Sequence, residues 1–350
     1  MPAIMRILIT LAAAGAVGFV CRKIGVPGGM MLGGIVGAAL LNLLTDNAYA
    51  PFFIRFFAQS VAGGFLGAAI DKDKLRQFPR LALPLAVIVT GLLITDFVMG
   101  ALMVLVSPMD LVTALCSGIP GGINDVPLIA ADMGADAGKV AVLQFVRLIT
   151  GIMLIPMLIR LMDKSAVQTA ETADKGLQKK RKISRRETAV GLLAAMGGGY
   201  IGRLIGLPGG VLLFSMIAVA VLYLTTGYGA IEPSTKQIAQ LFSGAYIGSL
   251  LHRQDILELR YLILPALIVV VMFAVSCVVF SFFLRKITAM DVKQSMLACS
   301  PAGASEMALM SSELNIVGDF AADIMLLHVF RVIVVVSLFP QIISLVVKFF

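Results

Sequence analysis

Two stretches of an otherwise apolar chain carry polar side chains at matching spacings around a proline–glycine break. In Leu115–Gly134, reading LCSGIPGGINDVPLIAADMG, the break Pro120-Gly121-Gly122 is followed by Asn124, Asp125 and, seven residues on, Asp132. In Met296–Asn315, reading MLACSPAGASEMALMSSELN, Ser300, Pro301 and Gly303 precede Ser305, Glu306 and, again seven residues on, Glu313. A helix that stops in an apolar medium exposes carbonyl oxygens, and one that restarts there exposes amides. The first end suits a cation and the second an anion. Backbone left open at membrane depth is costly unless protein, water or a ligand satisfies it. Asn124 and Ser305 can cap the restarting helices, and Pro127 falls in a first turn, where proline is tolerated. Pro120, Gly121, Gly122, Asn124, Ser300, Pro301, Gly303 and Ser305 are therefore candidate substrate contacts. Asp125 and Glu306 are candidate ligands for a coupling ion. Asp132 and Glu313 share their helix face about 10 Å away and rank second, because a helix C-terminus disfavours negative charge. The plain alternatives are a glycine turn between packed helices and carboxylates that merely stabilise helix N-termini or sit solvated at the membrane edge.

Three more charges lie inside apolar runs. Arg147 and Arg331 sit some eight to ten residues into theirs, and intramembrane charge usually faces a partner or a water-filled cavity. Either they clamp an anionic substrate in bidentate fashion or they neutralise Asp125 and Glu306. Asp96 is a third candidate for a proton or cation, or else a buried structural hydrogen-bonding group. Gln59 and Gln240 stand beside glycines at four-residue spacing, which reads first as close helix packing. Catalytic chemistry finds little support. There are two histidines, His252 and His328, with no Cys/His/carboxylate spacing for a metal, no nucleophile elbow and no phosphate loop. The four cysteines lie in or beside apolar segments without paired spacing, so no disulfide framework or cofactor is expected.

The elements that must position these residues follow from composition. Of 350 residues, 59% are hydrophobic and 14% charged, with a mean hydropathy of +0.98. A soluble chain could not hide that much apolar surface, so an all-α polytopic membrane protein is predicted. The net charge of +8 clusters between apolar runs, which is a topology signal and excludes nucleic acid as a partner. Apolar runs fall at about 4–21, 28–45, 52–70, 80–106 and 139–162, then at 188–205, 208–226, 237–251, 260–286 and 321–347. Between the two series lies a basic stretch containing KKRKISRR. Three regions result: a first transmembrane repeat at 1–162, a cytoplasmic linker at 163–187 and a second repeat at 188–350.

The second series repeats the first. Gly25-Val26-Pro27-Gly28-Gly29 recurs 181 residues later as Gly206-Leu207-Pro208-Gly209-Gly210. The same offset superposes Gln59 on Gln240, Pro84 on Pro265, Asp110 on Asp291 and Pro120 on Pro301, and it matches Asp96 to Cys277. Near the end the register slips to 184, pairing Arg147 with Arg331. Lys72, Lys74, Arg76 and Arg80 and the basic linker should both be cytoplasmic. That requires two crossings between them, so the broken segment must enter and return on one side. Each half then has five crossings plus one re-entrant hairpin, and an odd number inverts the second half. Inverted repeats with broken helices at midplane are the usual basis of alternating access. A six-crossing half with a kinked helix and parallel repeats is the alternative.

The run Pro-Gly-Gly-x-Asn-Asp at 120–125, the Ala-Ala-Asp-Met-Gly-Ala-Asp that follows it and Phe145-Val146-Arg147-Leu148 resemble the AbrB duplication family of bacterial membrane proteins. So do Pro-x-Gly-x-x-Glu-Met at 301–307 and Phe330-Arg331-Val332. The likeness covers nearly the whole chain. Members carry the label ammonia monooxygenase, and the family shares its name with a soluble DNA-binding regulator. Neither label suits this composition. The family is similar to inverted-repeat, elevator-type carriers of organic anions, which implies a multi-pass protein of the bacterial inner membrane. The expectation is a secondary transporter of a small anionic solute coupled to H+ or Na+, with membrane lipid as its surroundings and a homodimer open. A membrane-embedded enzyme and a passive channel are the competing functions.

Overall fold

The fold, given by a computed structural model that describes residues 2–26, 28–123, 125–162, 183–251, 258–301 and 319–348, has helices as its only long regular elements there. The first half contributes α1 (Ala3–Lys23), α2 (Gly29–Thr45), α3 (Phe52–Ala68), α4 (Lys72–Val106), α5 (Leu111–Gly118), α6 (Val126–Asp132) and α7 (Ala137–Met162). The second contributes α8 (Arg185–Ile205), α9 (Gly210–Thr226), α10 (Pro233–Leu250), α11 (Ile263–Ile287), α12 (Val292–Cys299) and α13 (Asp319–Val347). Six of these are long and apolar enough to cross a membrane, and α2, α3 and α9 are shorter apolar helices. Large hydrophobic side chains such as Leu8, Leu105, Leu193 and Ile263 stand on the outer surface, as lipid-facing residues do. This is an all-helical, multi-pass membrane protein.

Local chemistry sets the helix ends. Helix α4 begins eight residues before the apolar run at 80–106, because the Asp71 carboxylate accepts from the Lys74 amide at 2.8 Å and caps it. Lys72, Lys74, Arg76 and Arg80 thus lie on its first turns rather than in a loop. At 35 residues the helix spans about 50 Å, well beyond a hydrocarbon core of about 30 Å. Asp110 caps α5, and Asp291 caps α12 in a capping box with Gln294. Helices α5 and α12 begin and end 181 residues apart, and so do α2 and α9.

The helices gather into two bundles, each drawn from both halves. In the first, α2 packs between α1 and α10 while α9 packs between α8 and α3, with α3 against α10. In the second, α4 packs on α11, α5 and α13, and α12 packs on α11, α13 and α7 around one large apolar core. Each pairing has its counterpart with the halves exchanged. Close approach in the first bundle requires glycine: a Cβ on Gly63 or Gly67 of α3 would fall on carbonyl oxygens of α9, and one on Gly244 or Gly248 would fall on carbonyls of α2. The residue types that place the site are therefore the small ones.

Gly63→Val should lower the thermal midpoint of the purified protein, with overpacking costing about 1–3 kcal/mol. The control Gly197→Val, at a position with open space around it, should leave the midpoint almost unchanged.

Candidate functional site

The segment joining α5 to α6 sits where the two bundles meet. Helix α5 stops at Gly118, the chain turns through Ile119–Ile123, and α6 starts at Val126 with Pro127 in its first turn. The stop leaves carbonyl oxygens with no helical partner in the protein interior. Two side chains of α7, one turn apart, take them up. Gln144 Nε2 donates to the carbonyls of Ile119 and Ser117 at 2.9 and 3.0 Å, and it reaches that of Cys116 at 3.4 Å. Arg147 donates through Nη1 to Ile119 at 3.1 Å and through Nη2 to Gly121 at 2.7 Å. Both side chains are buried.

The second half repeats this device. His328 Nε2 lies 2.9 Å from the Leu297 carbonyl, and Arg331 Nη1 donates to the carbonyl of Ser300. Leu297 and Ser300 follow Cys116 and Ile119 by the repeat offset of 181, and His328 and Arg331 follow Gln144 and Arg147 by 184. Gln144-Phe-Val-Arg147 and His328-Val-Phe-Arg331 are thus one motif, a polar side chain three residues before an arginine. The spacing was legible, but the carbonyls it serves become visible only when α7 lies beside α5.

A cavity of about 310 Å³ opens between the bundles, lined by α3, α10, the α5–α6 turn, α7 and α13. Gly121, Gly122, Asp125, Arg147, His328 and Arg331 line it from the second bundle, and Lys236 and Gln240 from the first. Asp125 is buried and folds back over Gly122, where any Cβ would overlap its carboxylate. Lys236 is exposed and lies with its ammonium 5.5 Å from the Phe65 ring. Pro120, Ser300 and Pro301 are buried at the helix breaks. Asn124, Gly303, Ser305, Glu306 and Glu313 lie outside the described residues.

Asp132 is not solvated. Its carboxylate pairs with Arg55 and accepts from Gln59 Nε2 at 2.6 Å, while Gln59 also reaches the Leu128 carbonyl at 3.3 Å. Arg55 donates to the Tyr246 hydroxyl at 2.9 Å and lies over that ring. The group ties α3 and α10 of the first bundle to α6 of the second. Arg55 and Lys236, 181 residues apart, are the cations at this junction and cavity that composition hid. Each sits near a helix start, where a basic residue looks like a topology signal. Asp96, also counted among the ion candidates, lies away from this cavity and beneath the end of α5.

The AbrB family, described as transition state regulatory protein AbrB, matches residues 31–347. The chain belongs to that family. A protein of Bacillus subtilis (strain 168) described as "Uncharacterized protein YhjN" is 25% identical over 351 residues, covering 95% of this chain and 90% of that one. The family match runs from within α2 to the last turn of α13 and so takes in both halves.

Arg147→Ala should destabilise the protein as well as impair any function of the cavity. Losing charged hydrogen bonds to the Ile119 and Gly121 carbonyls costs on the order of 2–4 kcal/mol. Arg147→Lys, a single point charge without the planar fork, should fall between wild type and Ala in thermal unfolding.

Proposed function

We propose that this AbrB-family protein is a secondary active carrier for a small anionic organic solute, driven by H+ or Na+, in the cytoplasmic membrane of a bacterium. The observation that carries this is the cavity at a broken helix between two bundles, with Lys236, Arg147 and Arg331 set against one described carboxylate, Asp125. Such an excess of positive charge in a low-dielectric cleft draws anions. The volume suits a small ligand. Lys236 offers the accessible cation, and the buried Arg147 and Arg331 hold the turn carbonyls in place and add positive potential behind them.

The two halves, 1–162 and 188–350, act in this proposal as inverted repeats joined by a cytoplasmic linker, each with five crossings and one re-entrant segment. Support comes from the exchange of helix pairings between halves and from the matched carbonyl-holding motifs. The first bundle serves as the fixed frame, and the second carries the turn. Between them lie small apolar groups such as Ile123, Leu128 and Ile247 and the Arg55–Asp132–Gln59 contact, in place of the continuous core within the second bundle. A surface of that kind can slide, with the Arg55–Asp132 pair parting as it does.

Purified protein in liposomes, screened for stabilisation by carboxylates, sulfonates and sodium and then assayed for uptake of the best stabiliser, tests the proposal. Gradient-driven accumulation is expected; equilibration without accumulation would mark a passive channel and sink the carrier. Lys236→Ala should weaken binding of the stabilising anion about tenfold, or about 1.4 kcal/mol. With Arg55 and Asp132 both replaced by cysteine, uptake should be blocked by a short bis-thiosulfonate reagent that links the two thiols and restored by reductant. Uptake that is indifferent to that cross-link would remove the sliding interface from the mechanism.

A further inference from the structure

Asp96 is buried to 1% in the middle of α4, and neither carboxylate oxygen has a hydrogen-bond partner among the described residues. It points at the end of α5. A Cβ on Gly118 would overlap Asp96 Oδ1 and would lie 2.6 Å from Met99 Cε. The glycine therefore makes the room the carboxyl occupies. An ionised carboxylate here would face the negative end of α5 in an apolar core, with no cation paired to it.

The internal repeat supplies a control built into the chain. The residues 181 positions after Asp96 and Gly118 are Cys277 and Cys299, and both are buried. The Cys277 thiol donates to the Met296 carbonyl at 3.3 Å, near the end of α12. Where the second half keeps a neutral donor against the carbonyl end of its short helix, the first half has a carboxyl. The carboxyl matches that chemistry in one state only, the protonated one. The crowding by Met99 and the Gly118 backbone leaves room for a proton and not for the shell of oxygen ligands that a sodium ion needs.

We propose that Asp96 is a proton-binding site in the second bundle and supplies the coupling proton of the carrier. The coupling part rests on the transport reading above; the proton site does not. Other titratable groups on the packed elements are accounted for without it. On α5, Cys116 donates to Met133 Sδ at 3.9 Å and Asp110 is spent on its cap. On α11, Cys277 is bonded to Met296. Arg285 and Lys286 are exposed in the last turn of α11. On α13, Asp323 pairs with Arg80, His328 holds the Leu297 carbonyl and Arg331 that of Ser300. Gly118, which abuts Asp96, leads directly into the turn whose Gly121 and Gly122 line the cavity, so a shift of that turn changes the surroundings of the carboxyl. Proton release and movement of the substrate-facing backbone are thereby tied together.

Infrared spectroscopy of the protein in liposomes reads the proton directly. At neutral pH the wild type should show the carbonyl stretch of a protonated carboxylic acid, shifted in D2O and missing from Asp96→Asn. Asp96→Cys, which imports the residue of the second half, should fold with a native thermal midpoint and also lack the band. A neutral-pH spectrum identical in wild type and Asp96→Asn overturns the proton site. For coupling, uptake of the stabilising carboxylate or sulfonate under an imposed pH gradient should be lost in Asp96→Asn that retains a native thermal midpoint. Accumulation equal to wild type overturns the coupling role. A wild type that accumulates nothing refutes the carrier and leaves the infrared result to decide the site.

Discussion

A broken helix in a membrane protein must find donors for the carbonyls it leaves open, and the second bundle is built around that need. Each unsatisfied group costs several kcal/mol where water is excluded. Gln144 and Arg147 meet the end of α5, and His328 and Arg331 meet the end of α12. The arginines bring a charge that no other donor would. Their positive ends complement the negative poles of the two short helices, and this is what makes a buried guanidinium tolerable at that depth. The cavity takes its positive character from the same solution.

The sharing of helices between halves gives each bundle a separate physical character. The first is held by glycine-mediated backbone approach, with α2 gripped by α1 and α10 and α9 gripped by α8 and α3. Interlocking of that sort resists deformation. The second has a larger side-chain core built from Leu, Met, Phe and Cys residues of both halves. Neither bundle can form from one half alone. Each bundle draws on both halves, since α3 without α9 or α10 without α2 would leave its paired glycines (Gly63 and Gly67, Gly244 and Gly248) with nothing packed against them.

Polar groups at the junction of the bundles are few and specific. Arg55, Gln59 and Asp132 form a contact in which every member meets at least one other. A half-buried ion pair of this kind gives specificity of position more than net stability, since desolvation offsets much of the attraction. It fixes one relative placement of the bundles at modest cost. Lys236, 181 residues after Arg55, instead faces the cavity.

Sequence alone determined the membrane class and the location of the break after α5, and it offered the 181-residue offset that the paired helix bounds follow, because hydropathy, glycine–proline punctuation and a fixed offset are local or one-dimensional signals. It also singled out Arg147, Arg331, Asp125 and Asp96 as charges that need a reason to be where they are. Only tertiary structure decided what each charge does. The arginines hold carbonyls, Asp132 pairs with an arginine 77 residues away in the chain, and Asp96 stands under a helix end without a hydrogen-bond partner among the described residues. Those roles depend on which helix lies beside α5 and α6, and adjacency across more than a hundred residues, as between Arg55 and Tyr246, leaves no trace in spacing. The cations Arg55 and Lys236 were hidden for the same reason: a basic residue near a helix start reads as topology until a carboxylate or a cavity is found opposite it.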